Sequence, residues 1–365
     1  MRVPSNSRAE PKDVAHTLIT GATGSGKSFL LNFLITNAQK YNPYTFIFDL
    51  GGSYKNLTNL FGGTYSKVSL DHRAFTINPF SFPLTTETHE FIFSFLRVLL
   101  ESDNAQPLTP EQSKELFEAI ANMYVIDADQ RRLLTLPAML PKALSDRLSR
   151  WIEDGQYGSL FDNVEDTLTF ARFQCFDFEG LEKYPTILEP LLFYILHRAN
   201  AFIYNQQERA TFKAFVMDEA WRFFQNETIR RYLREALKTW RKHNAAMILA
   251  TQSGDDLRQS DLLELILESC PTRIFLANPG LNATTYRDAF HLNQTQANLV
   301  RTLLPKRQLF LQTPTLSKIL TLDVDSRSYW LYTNSPMENA RRDQLIAAHG
   351  LTKALDLLTE TKERQ

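Results

Sequence analysis

The sequence predicts an α/β fold in which a mainly parallel sheet is covered by helices on both faces. Short apolar, β-branched and aromatic runs alternate with helical patterns along the 365 residues, as in doubly wound sheets. Several runs are almost wholly apolar, which is typical of central parallel strands that are buried on both sides. A glycine-rich loop at residues 21–28 joins the first strand to the first helix.

Nine strands are predicted, at 16–20, 45–50, 65–69, 171–177, 214–218, 246–251, 273–277, 308–312 and 319–323. The last two flank residues 313–317, which predicts a hairpin at the edge of the sheet. Between the strands, the apolar spacing predicts helices at 28–38, 227–243 and 261–268. We expect residues 344–365 to form one more helix that ends in a charged tail.

Residues 85–166 break this alternation, because their pattern is helical and contains no convincing strand. Within them, Thr109 followed by Pro110 predicts a helix start. We therefore expect an all-helical insertion at 85–166 between two parts of the α/β core. The predicted domains are, in chain order, a flexible leader at 1–12, core at 13–84, the insertion at 85–166, core at 167–340, and a C-terminal helix and tail at 341–365. Because the first strand begins so early, we expect the chain to be the C-terminal part of a longer protein.

Composition narrows the class of protein. The formal net charge of −1 gives no global field for nucleic acid or anionic lipid, so such binding would need local patches. Cys175 and Cys270 lack metal-ligand spacing and are expected to be buried, reduced thiols. The most apolar stretch, 187–204, is interrupted by polar residues and predicts a buried helix instead of a membrane span. We expect a cytoplasmic chain without a signal peptide or transmembrane segment.

Residues 21–28, Gly-Ala-Thr-Gly-Ser-Gly-Lys-Ser, match the full phosphate-binding loop pattern between a strand and a helix. Glycine lets the backbone wrap closely around phosphates, and successive amide groups then face the anionic oxygens. Lys27 would reach the β- and γ-phosphates, and the Ser28 hydroxyl would hold Mg²⁺. The predicted nucleotide-binding residues are Gly21, Ala22, Thr23, Gly24, Ser25, Gly26, Lys27, Ser28 and Phe29.

Acidic and amide side chains end two later strands. Asp218 follows an apolar run and would bind Mg²⁺ beside Ser28. Glu219 is suited to orient and deprotonate an attacking water, which favours hydrolysis over phosphoryl transfer by a kinase. Gln252 follows the next strand, and strand ends of one parallel sheet face one crevice, here near the γ-phosphate. A turn at the strand end is the alternative role for Gln252.

Three further features leave alternatives open. An arginine from a neighbouring subunit often stabilises transition-state charge in phosphate-loop enzymes; Arg241 and Arg273 are the candidates, although Arg241 also suits a helix C-terminus. Asp49 could contact metal-bound water or begin a turn. The basic clusters at 230–234 and 306–307 could touch nucleic acid or form solvated surface.

Several strings together resemble the ATPases of type IV secretion and conjugation systems, the TrbE/CagE class of the HerA/FtsK-like P-loop superfamily. The strings lie at 13–28, 77–80, 216–221, 250–253 and 270–278. The resemblance covers about residues 13–340 and implies a RecA-like motor core with a helical insertion, similar to the C-terminal half of the family. In related coupling ATPases an arginine at the position of Arg241 acts across the hexamer interface. The chain departs from many relatives at residues 49–53, which are Asp-Leu-Gly-Gly-Ser instead of an Asp-Lys-Asp-type string.

The resemblance implies an ATPase that powers substrate translocation or pilus assembly through Mg²⁺-dependent hydrolysis of ATP at subunit interfaces. Glu219, Lys27, Gln252 and Arg241 would be its catalytic residues, and Ser28 and Asp218 its metal ligands. The implied partners are other copies of the chain, as a hexamer, and secretion components at the bacterial inner membrane, with the chain peripheral to it. One alternative is a DNA-pumping motor of the coupling-protein or HerA/FtsK type, using local basic patches. Another is a nucleotide-gated scaffold with little turnover.

Overall fold

The structure is a computed structural model that describes residues 16–69, 74–102, 105–220, 227–252 and 262–362. Nine strands form one sheet in the order β3-β4-β2-β5-β6-β1-β7-β8-β9. The strands are β1 (Thr17–Thr20), β2 (Tyr44–Asp49), β3 (Thr64–Lys67), β4 (Phe173–Asp177), β5 (Lys213–Met217), β6 (Ala245–Thr251), β7 (Thr272–Leu276), β8 (Gln308–Gln312) and β9 (Ser317–Thr321). All nine predicted strands are confirmed, with β9 two residues earlier than expected.

The sheet is mostly parallel, as predicted. The strand β1 pairs in parallel with β6 and β7, and β5 pairs in parallel with β2 and β6. Only the β7–β8 and β8–β9 pairs are antiparallel among those with a defined register. The predicted edge hairpin is therefore confirmed, and its turn is closed by a hydrogen bond of 2.7 Å from Thr313 N to Leu316 O.

Helices follow most strands. Their bounds are α1 (Lys27–Ala38), α2 (Lys55–Leu60), α3 (Thr86–Leu100), α4 (Pro110–Met123), α5 (Lys142–Leu148), α6 (Gly158–Phe161), α7 (Pro185–Tyr204), α8 (Glu227–Thr239), α9 (Leu263–Ser269), α10 (Ala283–Phe290), α11 (Gln294–Thr302), α12 (Ser326–Tyr332), α13 (Pro336–His349) and α14 (Leu351–Lys362). The predicted helix at 227–243 ends in a 3-10 turn, Trp240–His243. The predicted start of α9 at Asp261 lies outside the described residues.

The prediction of a single helix over 344–365 is wrong. Gly350 separates α13 from α14, with φ 78° and ψ 162°. Glycine adopts this conformation without the strain that a side chain would bring, so it stops one helix and redirects the chain into the next. The last three residues, 363–365, and the predicted leader at 1–12 lie outside the described part of the chain.

The chain divides into two compact units. The first comprises residues 1–65, 172–175 and 203–365, and the second 66–171 and 176–202. In the first unit, the face of the sheet carrying Ile19, Ile47 and Val216 packs with α1, and residues of α12 and α14 join the same core. Burial of this apolar surface stabilises the carboxyl ends of β1 and β5, from which the candidate site extends.

The second unit is built on helices with an aromatic core. Within 85–166 the described residues form α-helices and 3-10 turns and no strand, as the sequence indicates. The rings of Phe91 and Phe95 pack against Tyr194. The helix start predicted at Thr109 and Pro110 is confirmed, and Thr109 forms a capping box with Gln112. The domain boundaries given above stay predictions.

Two expectations from composition concern burial. Both cysteines, Cys175 and Cys270, are free and buried. Burial raises the pKa of the Cys270 thiol to about 12, so this thiol is not a nucleophile near neutral pH. In the described ranges, no helix combines the length and the apolar character that a membrane crossing needs.

Candidate nucleotide-binding site

The loop between β1 and α1 requires glycine at three positions. Gly24 and Gly26 have φ values of 74° and 103°, a region that side chains disfavour. At Gly21 a Cβ atom would lie 2.6 Å from the Cβ of Leu276. The loop thus has the backbone freedom and the lack of side chains that close approach to a phosphate chain needs.

Lys27 begins α1 and points back across the loop. Its Nζ donates hydrogen bonds to Gly21 O at 2.9 Å and to Ala22 O at 3.2 Å, and the residue is 6% exposed. Burial lowers the pKa of Lys27, while Glu219 and Asp218 raise it. The backbone carbonyls therefore hold a cation at the loop, where a phosphate chain would need it.

Ser28 and Asp218 meet beside the loop. The Ser28 hydroxyl donates to Asp218 Oδ2 at 2.9 Å, and the Tyr54 hydroxyl donates to the same oxygen at 2.8 Å. A hydroxyl next to a carboxylate is an oxygen donor set that suits Mg²⁺, which completes its shell with phosphate oxygens and waters. In the described part of the chain no group of three or more His, Cys, Asp or Glu side chains could hold a metal. A Mg²⁺ site beside the loop does not require such a group, because Ser28 and Asp218 would supply only part of the ion's shell.

Glu219 and Gln252 are joined to each other and to the loop. Gln252 Nε2 donates to Glu219 Oε1, and Thr23 Oγ1 donates to Gln252 Oε1 at 2.6 Å. Glu219 has φ 57°, an uncommon conformation for a side chain other than glycine, asparagine or aspartate. Such backbone persists where surrounding contacts hold it, and it occurs often at functional sites.

The structure brings five of the predicted site residues together at the carboxyl edge of the sheet. They are Lys27, Ser28, Asp218, Glu219 and Gln252. The Glu219 amide donates to Asp218 Oδ1 at 3.1 Å, so the two acids are also linked. The parallel order β5-β6-β1 delivers all three strand ends to one place.

Arg241 lies elsewhere. It is exposed, in the 3-10 turn before β6, whereas Gln252 follows the other end of that strand. Six residue steps at about 3.3 Å separate the two ends of β6 by roughly 20 Å. Its guanidinium makes no hydrogen bond or ion pair with any residue that the structure describes. Arg241 is therefore at the amino edge and cannot reach the site of its own chain.

Arg273, the other candidate arginine, is engaged in the fold. Its guanidinium donates to Leu267 O at 2.7 Å, Phe290 O at 3.3 Å and Cys270 O at 3.4 Å. Desolvation lowers its pKa. These carbonyls include two at the end of α9, so Arg273 closes a helix terminus within its own chain.

Two other predicted residues have local roles. The Asp49 carboxylate accepts hydrogen bonds from Gly51 N at 3.1 Å and Ser53 N at 2.6 Å. Of its two predicted roles, these bonds favour the start of a turn, and not contact with metal-bound water. The ring of Phe29 packs on Tyr332 with a centroid distance of 5.5 Å, so its side chain belongs to the core.

Tyr54 is a site residue that sequence reasoning missed. It is completely buried, and burial and Asp218 together raise its pKa well above the usual value. A tyrosine in a turn after a strand carries no spacing signal. Only the folded structure brings its hydroxyl to an acid 164 residues away.

A family model described as the TraG P-loop domain matches residues 10–136 and 142–361. The conjugal transfer protein TrbE of Rhizobium radiobacter is 29% identical over 363 residues, covering 95% of this chain and 43% of the relative. The type IV secretion system protein virB4 of Bartonella quintana is 27% identical over 299 residues, covering 80% of this chain and 37% of the relative. The chain thus spans well under half the length of these curated relatives.

Solved structures have the same fold. The structure of VirB4 of Thermoanaerobacter pseudethanolicus superposes with a TM-score of 0.72 at 17% identity, covering 88% of this chain and 92% of that one. The plasmid coupling protein TrwB, in complex with ADP and Mg²⁺, gives a TM-score of 0.60 at 16% identity, with 87% and 86% covered. Both likenesses confirm the RecA-like P-loop architecture that the resemblance implied.

Proposed function

The chain belongs to the family of TraG P-loop domains, and from this premise we propose that it is the ATP-hydrolysing motor part of a type IV secretion or conjugation ATPase. It would convert Mg²⁺-dependent hydrolysis of ATP into substrate translocation or pilus assembly. The names of the matched relatives, a conjugal transfer protein and a type IV secretion protein, support this over the DNA-pumping alternative.

One observation carries the proposal. A continuous series of hydrogen bonds runs from Thr23 through Gln252 to Glu219, and from Asp218 back to Ser28. It links the phosphate-binding loop to the residues proposed as general base and metal ligand. If the acids merely followed the end of a strand, hydrogen bonds between them and the phosphate-binding loop would not be expected.

We propose one role in hydrolysis for each of these residues. Lys27 and the loop amides would bind the β- and γ-phosphates, and Ser28 and Asp218 would hold Mg²⁺. When bound, Mg²⁺ supplies positive charge that offsets the charge developing on the phosphate oxygens. Gln252 would orient the attacking water through its amide, and Glu219 would accept the proton from that water. Preorganised groups of this kind act without reorganising during the reaction.

The site would be completed by a second copy of the chain. Arg241 lies at the opposite edge of the sheet from its own phosphate loop, and its guanidinium makes no hydrogen bond or ion pair with the described residues, whereas Arg273 is engaged by three carbonyls. An arginine supplied in trans fits this arrangement. We propose a ring, a hexamer when active, at the cytoplasmic side of the inner membrane with other secretion components.

The test is hydrolysis of ATP as a function of protein concentration, with mass followed by light scattering in the same samples. Specific activity should rise with concentration as rings form, and Glu219→Gln should bind ATP without turning it over. Activity that is the same per chain at every concentration would contradict the ring. Binding of ATP without any turnover by the wild type at all concentrations would instead support a nucleotide-gated scaffold.

A further inference from the structure

A segment outside the predicted site lies directly against the phosphate-binding loop. In the turn before β8, Lys306 N donates to Ser25 O at 3.0 Å. The Lys306 Cα would be only 3.2 Å from a Cβ atom at Gly26. This turn approaches the loop from the β7–β8 side, opposite to the side from which Asp218 and Gln252 approach. The loop is therefore flanked on two sides, and the sequence predicted only the side with Asp218 and Gln252.

The backbone at Lys306 is held in an uncommon conformation. Its φ is 60°, the left-handed region, which lysine rarely occupies. Leu304 O accepts from Arg307 N at 3.2 Å and from Gln308 N at 2.9 Å, and Arg307 O accepts from Leu322 N at 2.7 Å. The fold thus fixes the position of Lys306 at the cost of backbone strain, which is a feature of ligand clamps.

Two polar groups on the Lys306 side of the loop lack partners. The Lys306 side chain is exposed and makes no hydrogen bond or ion pair with the described residues. The Ser25 hydroxyl is buried, with the residue 3% exposed, and no described group hydrogen-bonds to it. Both residues line a small enclosed cleft between the loop and β8, together with Gly26 and Leu276. A buried hydroxyl without a partner is costly, so the fold leaves one polar group of the loop unsatisfied beside Lys306.

We propose that Lys306 is a nucleotide-binding residue whose ammonium group contacts the α- or β-phosphate of a nucleoside di- or triphosphate. The inference rests on the proposed function, in which the loop of residues 21–28 holds that phosphate chain. Lysine carries its ammonium as a point charge on a flexible four-carbon stem, so it can reach phosphates held beside Gly26. Glu219 and Gln252 act on the γ-phosphate from the other side of the loop. Lys306 therefore strengthens binding of ATP and ADP alike and takes no part in the attack of water.

The experiment compares Lys306→Gln, Lys306→Arg and a matched control, Lys318→Gln. Lys318 is an exposed lysine of β9, opposite Leu311, on the same hairpin but away from the loop. Binding of fluorescent ADP and of a non-hydrolysable ATP analogue is measured by titration, and KM and kcat for ATP in the hydrolysis assay.

Lys306→Gln should weaken both nucleotides by about tenfold, the effect of one lost charge-assisted hydrogen bond, and should raise KM with kcat unchanged. Lys306→Arg should restore most of the affinity, and Lys318→Gln should behave as wild type. Unchanged affinity in Lys306→Gln, or a fall in kcat alone, would overturn the inference while leaving the proposed function intact. A wild type that binds neither nucleotide would contradict the proposed function and this inference with it.

Discussion

The two edges of the sheet in the first unit differ in how their charged residues are partnered. At the carboxyl edge Lys27 and Asp218 are 6% and 4% exposed and hydrogen-bonded to the loop and to neighbouring hydroxyls. At the amino edge Arg241 and Lys242 are exposed, and their side chains have no hydrogen-bond or ion-pair partner among the described residues. The charged side chains of the carboxyl edge are thus partnered within the chain, whereas the amino edge presents basic side chains without such partners.

The helix dipole gives a simpler explanation for the basic residues at the amino edge. Experiments must distinguish it from a role of Arg241 in a neighbouring subunit. Helices return to a parallel sheet with their C-terminal ends at the amino ends of the strands, where basic residues offset the helix dipole. The turn Trp240–His243 carries three basic residues in this position. The dipole treats Arg241 and Lys242 alike, whereas an arginine acting in trans is one specific residue.

The largest expected effect separates these two cations. Arg241→Ala should lower turnover by about 10³-fold or more, since an arginine acting in trans contributes that much in related chemistry. It should still bind ATP, because its own carboxyl edge is intact. The control is Lys242→Ala, measured in the same hydrolysis assay, and it should keep most of the activity. Equal, small losses in both variants would mean that Arg241 only complements the helix.

The carboxyl edge is tested by Glu219→Gln. Removing a general base should cost about 10²- to 10⁴-fold in kcat, while the amide keeps a hydrogen bond to Gln252 and the loop keeps its affinity for ATP. Turnover and nucleotide binding are measured on the same preparation. The matched control, Glu264→Gln, changes an exposed acid of α9 and should be silent. Full activity in Glu219→Gln would show that Glu219 is not the general base.

Most of the fold could be predicted from the sequence, and so could the side of the site that carries Asp218, Glu219 and Gln252. The strands follow apolar runs whose composition and period are local properties of the sequence, and the phosphate loop has fixed positions that Gly21, Gly26 and Lys27 satisfy. Tyr54 and Lys306 were not predictable, because their roles arise from contacts between distant segments. The break at Gly350 was missed because the helical pattern continues on both sides of it, and a lone glycine within such a pattern does not by itself mark a helix end.

Tyr54 offers a smaller test of the carboxyl edge. Tyr54→Phe removes one of the two hydroxyl groups that donate to Asp218 Oδ2 and should cost about 1 kcal/mol, or roughly fivefold, in the Mg²⁺-dependent step. The Mg²⁺ concentration that gives half-maximal hydrolysis is the measured quantity. Tyr41→Phe, at an exposed tyrosine remote from the site, is the control. No difference between the two variants would show that Tyr54 does not orient Asp218.

The smallest expected effect concerns His16 at the amino edge. Its Nδ1 accepts from Met247 N at 2.8 Å and its Nε2 donates to Leu237 O at 3.0 Å, so the ring is neutral. Burial lowers its pKa below 6.5, and the unfolded chain therefore binds the proton more readily. The His16 contribution to stability is complete above pH 6.5 and decreases as the pH falls below that value.

The free energy of unfolding by urea, measured from pH 7.5 downwards, checks this prediction. His16→Gln should lose less stability on acidification than the wild type. The control His291→Gln, at an exposed histidine, should keep the wild-type slope. Parallel curves for wild type and His16→Gln would mean that His16 does not titrate as its burial requires.

The most direct test of a carboxyl-edge site completed by an amino-edge arginine is complementation between two inactive variants. Arg241→Ala retains Glu219, and Glu219→Gln retains Arg241, so mixed rings contain some sites with both groups. We predict that an equimolar mixture hydrolyses ATP well above the sum of the separate variants, with activity that depends on the mixing ratio. A mixture no more active than that sum, under conditions where light scattering shows mixed oligomers, would contradict the account.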